Sequence, residues 1–180
     1  MAWCSVVERG GEVVPIRGWP AGLKFDGRVV FVWWGQDADE HDCAAARSGQ
    51  LRTFASEAEC WAIANARGWP SDAEPTDDDA AVVTDLGPAQ EWLRGKRVAL
   101  DPQAGLNLWN WADDAAYSTG RIWNDGGGVR DRCYDKLFAA AVPWVYGMES
   151  YKPTWTPRQV RALREVLGQA VHVLRAAIGD

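Results

Sequence analysis

Two runs of β-branched and aromatic residues, 12–16 and 28–34, dominate the first third of the chain, and glycines bound them. Alternating apolar and polar positions would mark a strand with one wet face. The run Arg28-Val29-Val30-Phe31-Val32-Trp33-Trp34 does not alternate. Both of its faces must be covered, which places it centrally in a sheet. Asp26-Gly27 just before it is a hairpin-type turn signal. Pro15 removes an N–H from the first run and assigns it to a sheet edge. A third, shorter strand is expected over 51–54, after Ser48-Gly49.

Beyond residue 55 the period changes to that of a helix. Ser56 with Glu59 forms a capping-box pattern and Gly68 supplies a stop, with Trp61, Ile63 and Ala64 facing inward. Residues 71–80 hold Pro75, carry several acids and lack periodicity, so they read as a loop. A short helix over 88–94 is closed by Gly95. Asp101-Pro102 pairs an N-cap with a first-turn proline and opens a helix that runs to Gly120. In it Leu106, Trp109, Asp113, Ala116 and Tyr117 share one side, and Leu108, Trp111, Ala112 and Ala115 the other. A helix apolar nearly all round is sandwiched between other elements. A further helix is expected near 129–140, after Asp125-Gly126-Gly127-Gly128. The last helix is opened by Thr156-Pro157 with Gln159 and closed by Gly179. Its core positions are Val160, Leu163, Leu167, Ala170, Val171, Leu174 and Ile178.

This order of elements predicts a single α+β domain over 1–180, with an N-terminal antiparallel sheet packed against a mainly helical C-terminal half. The sheet-rich part covers 1–70, the acidic loop 71–80 and the helical part 81–180. At 180 residues such a domain buries roughly 70% of its unfolded surface and needs no staple. The four cysteines, at 4, 43, 60 and 133, form no C-x-x-C pair and are expected to be free, mostly buried thiols. No apolar stretch reaches the ~18 residues of a membrane span. The start of the chain lacks the basic-then-apolar order of a secretory leader, so a cytoplasmic location is expected.

Charge sharpens the picture. The net charge is −6, but residues 1–90 carry 15 acidic and 7 basic side chains, against 10 and 12 in the remainder. The acids gather at Asp37, Asp39, Glu40 and Asp42, and again at Asp72, Glu74, Asp77, Asp78, Asp79 and Asp85. Such a field disfavours nucleic acid or an anionic membrane and steers a basic protein. Twelve tryptophans are too many for the core alone, and Trp34 and Trp123, beside loops, are the first candidates for contact residues.

Catalytic and metal chemistry find little purchase. Asp37, Asp39, His41 and Cys43 alternate in one loop, but His41 and Cys43 do not have the spacing of a zinc ligand pair. The run Asp77-Asp78-Asp79 lacks the glycine and spaced glutamate of a calcium loop. His41 with Cys43 lacks an orienting third group, and no nucleophile elbow or phosphate-binding loop is present. No metal, cofactor or catalytic residue is therefore expected. Asn107, Asn110, Asp113 and Asp114 are polar exceptions on an apolar helix. A buried Asp113 needs a donor, with Lys136, Arg132 or an indole as candidates. Asn110, Asp113, Asp135 and Lys136 are read as structural polar residues. The alternative is a small enzyme or ligand carrier, with a pocket around Trp109, Asp113 and Asp135.

The C-terminal half carries a recognisable order of words: Asp85-Leu86, Trp92-Leu93, Leu106-Asn107-Leu108-Trp109-Asn110 with Asp113, Tyr134-Asp135-Lys136-Leu137-Phe138, Tyr151-Lys152-Pro153 and Trp155-Thr156. Over roughly 85–175 this resembles a family of small bacterial cytosolic proteins that look like immunity proteins of polymorphic toxin systems. The resemblance implies a non-catalytic inhibitor that binds a cognate toxin domain, a protein partner, and no chemistry of its own.

Overall fold

The computed structural model describes residues 12–71 and 81–179. The chain is an α+β fold, with a sheet from its N-terminal half and helices from its C-terminal half. The sheet is organised around β3 (Arg28–Gln36), which pairs antiparallel with β2 (Arg17–Phe25) along one edge. On its other edge β3 meets β4 (Asp42–Ala44) and β7 (Thr53–Phe54), both antiparallel. Beyond β2, β8 (Val83–Asp85) adds a parallel strand. A smaller antiparallel sheet joins β1 (Glu12–Val13), β5 (Ala46–Arg47) and β6 (Gln50–Leu51).

The unbroken apolar run of β3 is explained by its two buried faces. Phe31 and Trp33 pack with Phe54, Trp69, Cys60 and Ala64, the last two from α1 (Glu57–Arg67). Val30, Val32 and Trp34 face the main core, which draws residues from Leu23 to Ala177. That core is built by α2 (Gly87–Leu93), α3 (Pro102–Thr119), α4 (Val129–Ala141) and α5 (Pro157–Ile178). The sheet is therefore a middle layer, with α1 on one side and α3 with its neighbours on the other. Among the described residues no helix is long and apolar enough to cross a membrane.

Helix ends follow the expected chemistry. Ser56 accepts from the Glu59 N–H, and Asp101 from the Ala104 N–H. Thr156 and Gln159 complete a reciprocal capping box. Gly68, Gly120 and Gly179 close their helices in the left-handed conformation. Asp26 and Gly27, both at positive φ, make the tight turn between β2 and β3.

Two expectations need correction. The edge strand expected over 12–16 is extended only at Glu12–Val13, at the edge of the small sheet, with Pro15 outside it. The hairpin partner of the central strand is β2, whose two glycines and Pro20 carry none of the sequence signals of a strand. Those glycines answer to packing instead, because a Cβ at Gly18 would lie 2.2 Å from the Trp33 indole nitrogen. The 51–54 strand also divides at Arg52, its two parts joining different sheets. The acidic loop, and Cys4, lie outside the described residues; Cys43, Cys60 and Cys133 are free and buried.

The hairpin is tied to the helical layer through one carboxylate. Arg175 of α5 donates to Asp26 through Nε at 2.7 Å and Nη2 at 2.9 Å. Arg94 and Gln90 donate to the same side chain at 2.8 and 2.9 Å. The Arg175 bond first, with Gln90 and Arg94 behind it, outweighs partial burial and holds the Asp26 carboxyl below its ordinary range. Asp26→Asn keeps the turn chemistry but weakens this junction, and should lower unfolding free energy by about 1–2 kcal/mol in urea titration. Leu167→Ala, in the fully buried seam of α5, should cost roughly 2–5 kcal/mol; a loss below about 0.5 kcal/mol would contradict its core position.

Candidate functional site

A cleft opens where the exposed end of the sheet meets α3. It consists of two adjoining hollows, of about 350 and 380 Å³, that share Asp42, Asn110 and Asp114. The first is walled by Trp19 and Trp34 of the sheet and Trp111 of α3. The second is bounded by His41 and Glu40 from the turn before β4, by Asp113 and Tyr117 of α3, and by Tyr134 of α4. Among the described residues no lysine or arginine lines either hollow.

The residues are brought together by helical spacing on one side and strand register on the other. Asn107, Asn110, Asp114 and Tyr117 recur every three or four positions along α3, forming one polar stripe. Across from it, Trp19 and Trp34 are cross-strand partners on the same face of the β2–β3 pair. Their rings meet edge to face at 5.0 Å, and Trp34 also leans on Trp111 at 6.1 Å. The Trp34 indole N–H donates to Asp114 Oδ2 at 2.9 Å. One turn on, Ser118 Oγ accepts the Ala44 N–H at 2.8 Å and donates to the Asp114 carbonyl, fastening β4 to α3.

Asp114 is the perturbed group of the site. Burial raises its pKa from 3.8 to about 7; the Trp34 hydrogen bond opposes this, while Asp42 and Asp113 push it further up. Asp113, exposed at the rim, is raised less, first by partial desolvation and then by Asp125. The Asp114 carboxyl thus exchanges its proton near neutrality inside a cleft lined, among the described residues, by no lysine or arginine.

The sequence-predicted site residues fall differently from expectation. Asp37 is not a solvated loop acid: it is buried, with Oδ1 accepting the N–H groups of Asp39 and His41 and Oδ2 the Tyr117 hydroxyl. Burial alone would raise its pKa, but the Tyr117 and backbone hydrogen bonds together hold it below the ordinary range. Asp39, Glu40 and Asp42 are exposed, and the last two line the cleft. One ligating atom from each of Asp37, Asp39 and His41 falls within 4.8 Å of the others, but both Asp37 oxygens already fix the turn. Trp123 is half-buried against the main core and lines neither hollow. Asp77, Asp78 and Asp79 lie outside the described residues.

Asp113 also needs correction. It does not hydrogen-bond inside the fold but stands exposed, and its neighbour Asp114 is the inward carboxylate that accepts from an indole. Of Trp109, Asp113 and Asp135, only Asp113 lines the cleft: Trp109 is buried with its N–H on Asp125 at 2.9 Å, and Asp135 is exposed and lines neither hollow. Asn110 accepts from the Tyr134 hydroxyl at 3.0 Å. Lys136 bonds the Thr154 carbonyl and Gln159, beneath the Trp155 ring. Sequence reading missed Trp19 and Tyr117 as site residues. The stripe at 107, 110, 114 and 117 was the available signal.

A raised carboxyl pKa has a definite sign for stability. Below pH 3.8 both folded and unfolded chains hold the Asp114 proton. Between 3.8 and about 7 only the folded chain holds it, so stability falls as pH rises through that window and levels off above it. Asp114→Asn removes the titration and retains an acceptor for Trp34. Urea unfolding at pH 5 and 8 should therefore show a wild-type decline that the variant lacks, on the order of 2 kcal/mol. Parallel behaviour of the two proteins would contradict the buried-carboxyl assignment.

No family model matches the chain, and neither a curated protein nor a solved structure matches it.

Proposed function

We propose that this chain is a non-catalytic binding protein that captures a basic protein through its acidic, aromatic-walled cleft, in the manner of an immunity protein holding a toxin domain. The observation that carries the reading is the composition of the cleft wall. Glu40, Asp42, Asp113 and Asp114 stand beside Trp19, Trp34, Trp111, Tyr117 and Tyr134, with no cationic side chain among them. Exposed acids at the rim speed the encounter with a basic surface, and part-exposed rings provide the desolvated contacts that slow dissociation. The exposed Asp39 extends the same acidic rim.

A second reading is favoured by the concavity of the site. A hollow with apolar walls and convergent polar groups is also what a small-ligand carrier presents. A carrier would hold a cationic small molecule in the absence of any partner protein.

The test is co-expression with the protein encoded beside this chain's gene, followed by purification of the complex and a growth-rescue assay. The expected result is a stable complex and rescue. No complex and no rescue would remove the protein-partner reading. Within such a complex, converting Asp39, Glu40 and Asp42 together to amides should slow association more than it speeds dissociation. The effect should shrink as added salt brings the screening length to about 8 Å. Trp34→Ala should instead raise the dissociation rate, at a cost on the order of 2 kcal/mol.

A further inference from the structure

We infer that the cleft is a recognition site for a single guanidinium group, an arginine side chain presented by the partner protein; this rests on the binding-protein reading above. Four donors of the site are already engaged. Trp34 Nε1–H points into Asp114, the Tyr134 hydroxyl into Asn110, the Tyr117 hydroxyl into Asp37 and the Gln36 amide into Asp42. Asn107 Oδ1 accepts from Gln103. With these donors turned inward, the carboxyls of Glu40, Asp42, Asp113 and Asp114 outnumber the amides of Asn107 and Asn110 in what the lining offers a visitor. An anion is repelled. A neutral sugar brings no charge to meet the four acids.

A cation suits this acidic wall, which leaves ammonium and guanidinium among the side chains a protein partner presents. Shape separates them. Asp114 and Asp42 line both hollows, and the rings of Trp34 and Trp111 stand beside them on the sheet and helix walls. Guanidinium is planar, weakly hydrated and carries five donors in a fixed fork, so it can stack on an indole while bonding carboxylates at its edge. Ammonium is a compact, strongly hydrated charge and gains less from flat aromatic walls. Each hollow, at about 350–380 Å³, accommodates the head and part of the stem of an extended side chain.

The experiment uses the whole chain without a partner. N-acetyl-arginine methylamide is titrated while the Trp34 indole N–H resonance is followed by NMR. The lysine and citrulline analogues and free agmatine are run alongside. The expected result is a saturable shift with the arginine probe, at least tenfold weaker with lysine and absent with neutral citrulline. Asp114→Asn should weaken arginine binding tenfold or more, and Asp42→Asn, at an exposed position, should weaken it as well. Asp135→Asn, outside the cleft, should leave it unchanged. An equal response to arginine and citrulline, or no saturable response, would overturn the assignment. Agmatine binding more tightly than the arginine probe would overturn its attribution to a protein side chain and give the site to a free amine. No partner protein enters this experiment, so its failure alongside a stable co-expressed complex would refute the guanidinium site while the partner reading stands. Loss of the complex with arginine binding intact would do the reverse.

Discussion

The structure depends on covering one helix from every side. α3 is apolar over most of its surface, with Leu106, Leu108, Trp109, Trp111, Ala112, Ala115 and Ala116 all buried. A single helix or sheet laid against it would leave one flank wet. Instead α2, α4 and α5 cover part of its circumference, and β4 to β6 another part. Large rings and the small Ala104, Gly105, Ala112 and Ala115 share this helix, so neighbouring elements can approach closely; a Cβ at Gly105 would already press on Leu100 and Leu137 at 3.2 and 3.3 Å. The same constraint explains why β3 is apolar on both faces. It shields α3 with one face and must itself be shielded by α1 on the other.

The polar stripe of α3 is the exception that this covering has to satisfy. Its last two turns face the sheet, and each polar group there finds a partner on it: Asp114 on Trp34, Tyr117 on Asp37, and Ser118 on the Ala44 backbone. These three bonds span 74 to 80 residues of sequence. They fix how far the sheet edge stands from the helix, and so set the width of the cleft. A buried carboxylate with only partial compensation costs several kcal/mol by rough estimate, which is why Asp114 holds its proton so far above the ordinary carboxyl range.

Legibility followed the range of the interactions. Helix ends were readable because caps are local: Ser56, Asp101, Thr156 and the glycines at 68, 120 and 179 act within a few residues of themselves. The central strand was readable because its two buried faces leave a continuous apolar run. β2 was not, since Gly18 is required by the Trp33 ring and Gly22 by Val83 and Phe31, tertiary facts with no local trace. The distinction between Asp113 and Asp114 was lost for a related reason. Adjacent helical residues point about 100° apart, and a helix apolar nearly all round does not say which direction is open. Asp37 reads as one more acid in an acidic loop until Tyr117, 80 positions away, is seen donating to it.

The distribution of cations gives the cleft its character. Elsewhere the chain neutralises its inward acids itself: Glu12 is held by Arg67 and Arg52, and Asp26 by Arg94 and Arg175. At the surface Lys24 bridges Asp85. In the cleft the pattern reverses, and Asp42 and Asp113 both act to keep the Asp114 proton in place. Packing does not require that arrangement, because one arginine on the facing strand could have closed the site as Arg175 closes the Asp26 junction. Carboxylates left to repel one another beside part-exposed rings destabilise the free protein slightly and favour any cation that enters. Entry of that cation would in turn favour the ionised form of Asp114, so occupancy and proton release are coupled through the same carboxyl. The cost of the repulsion falls on the empty cleft, and a bound cation would relieve it.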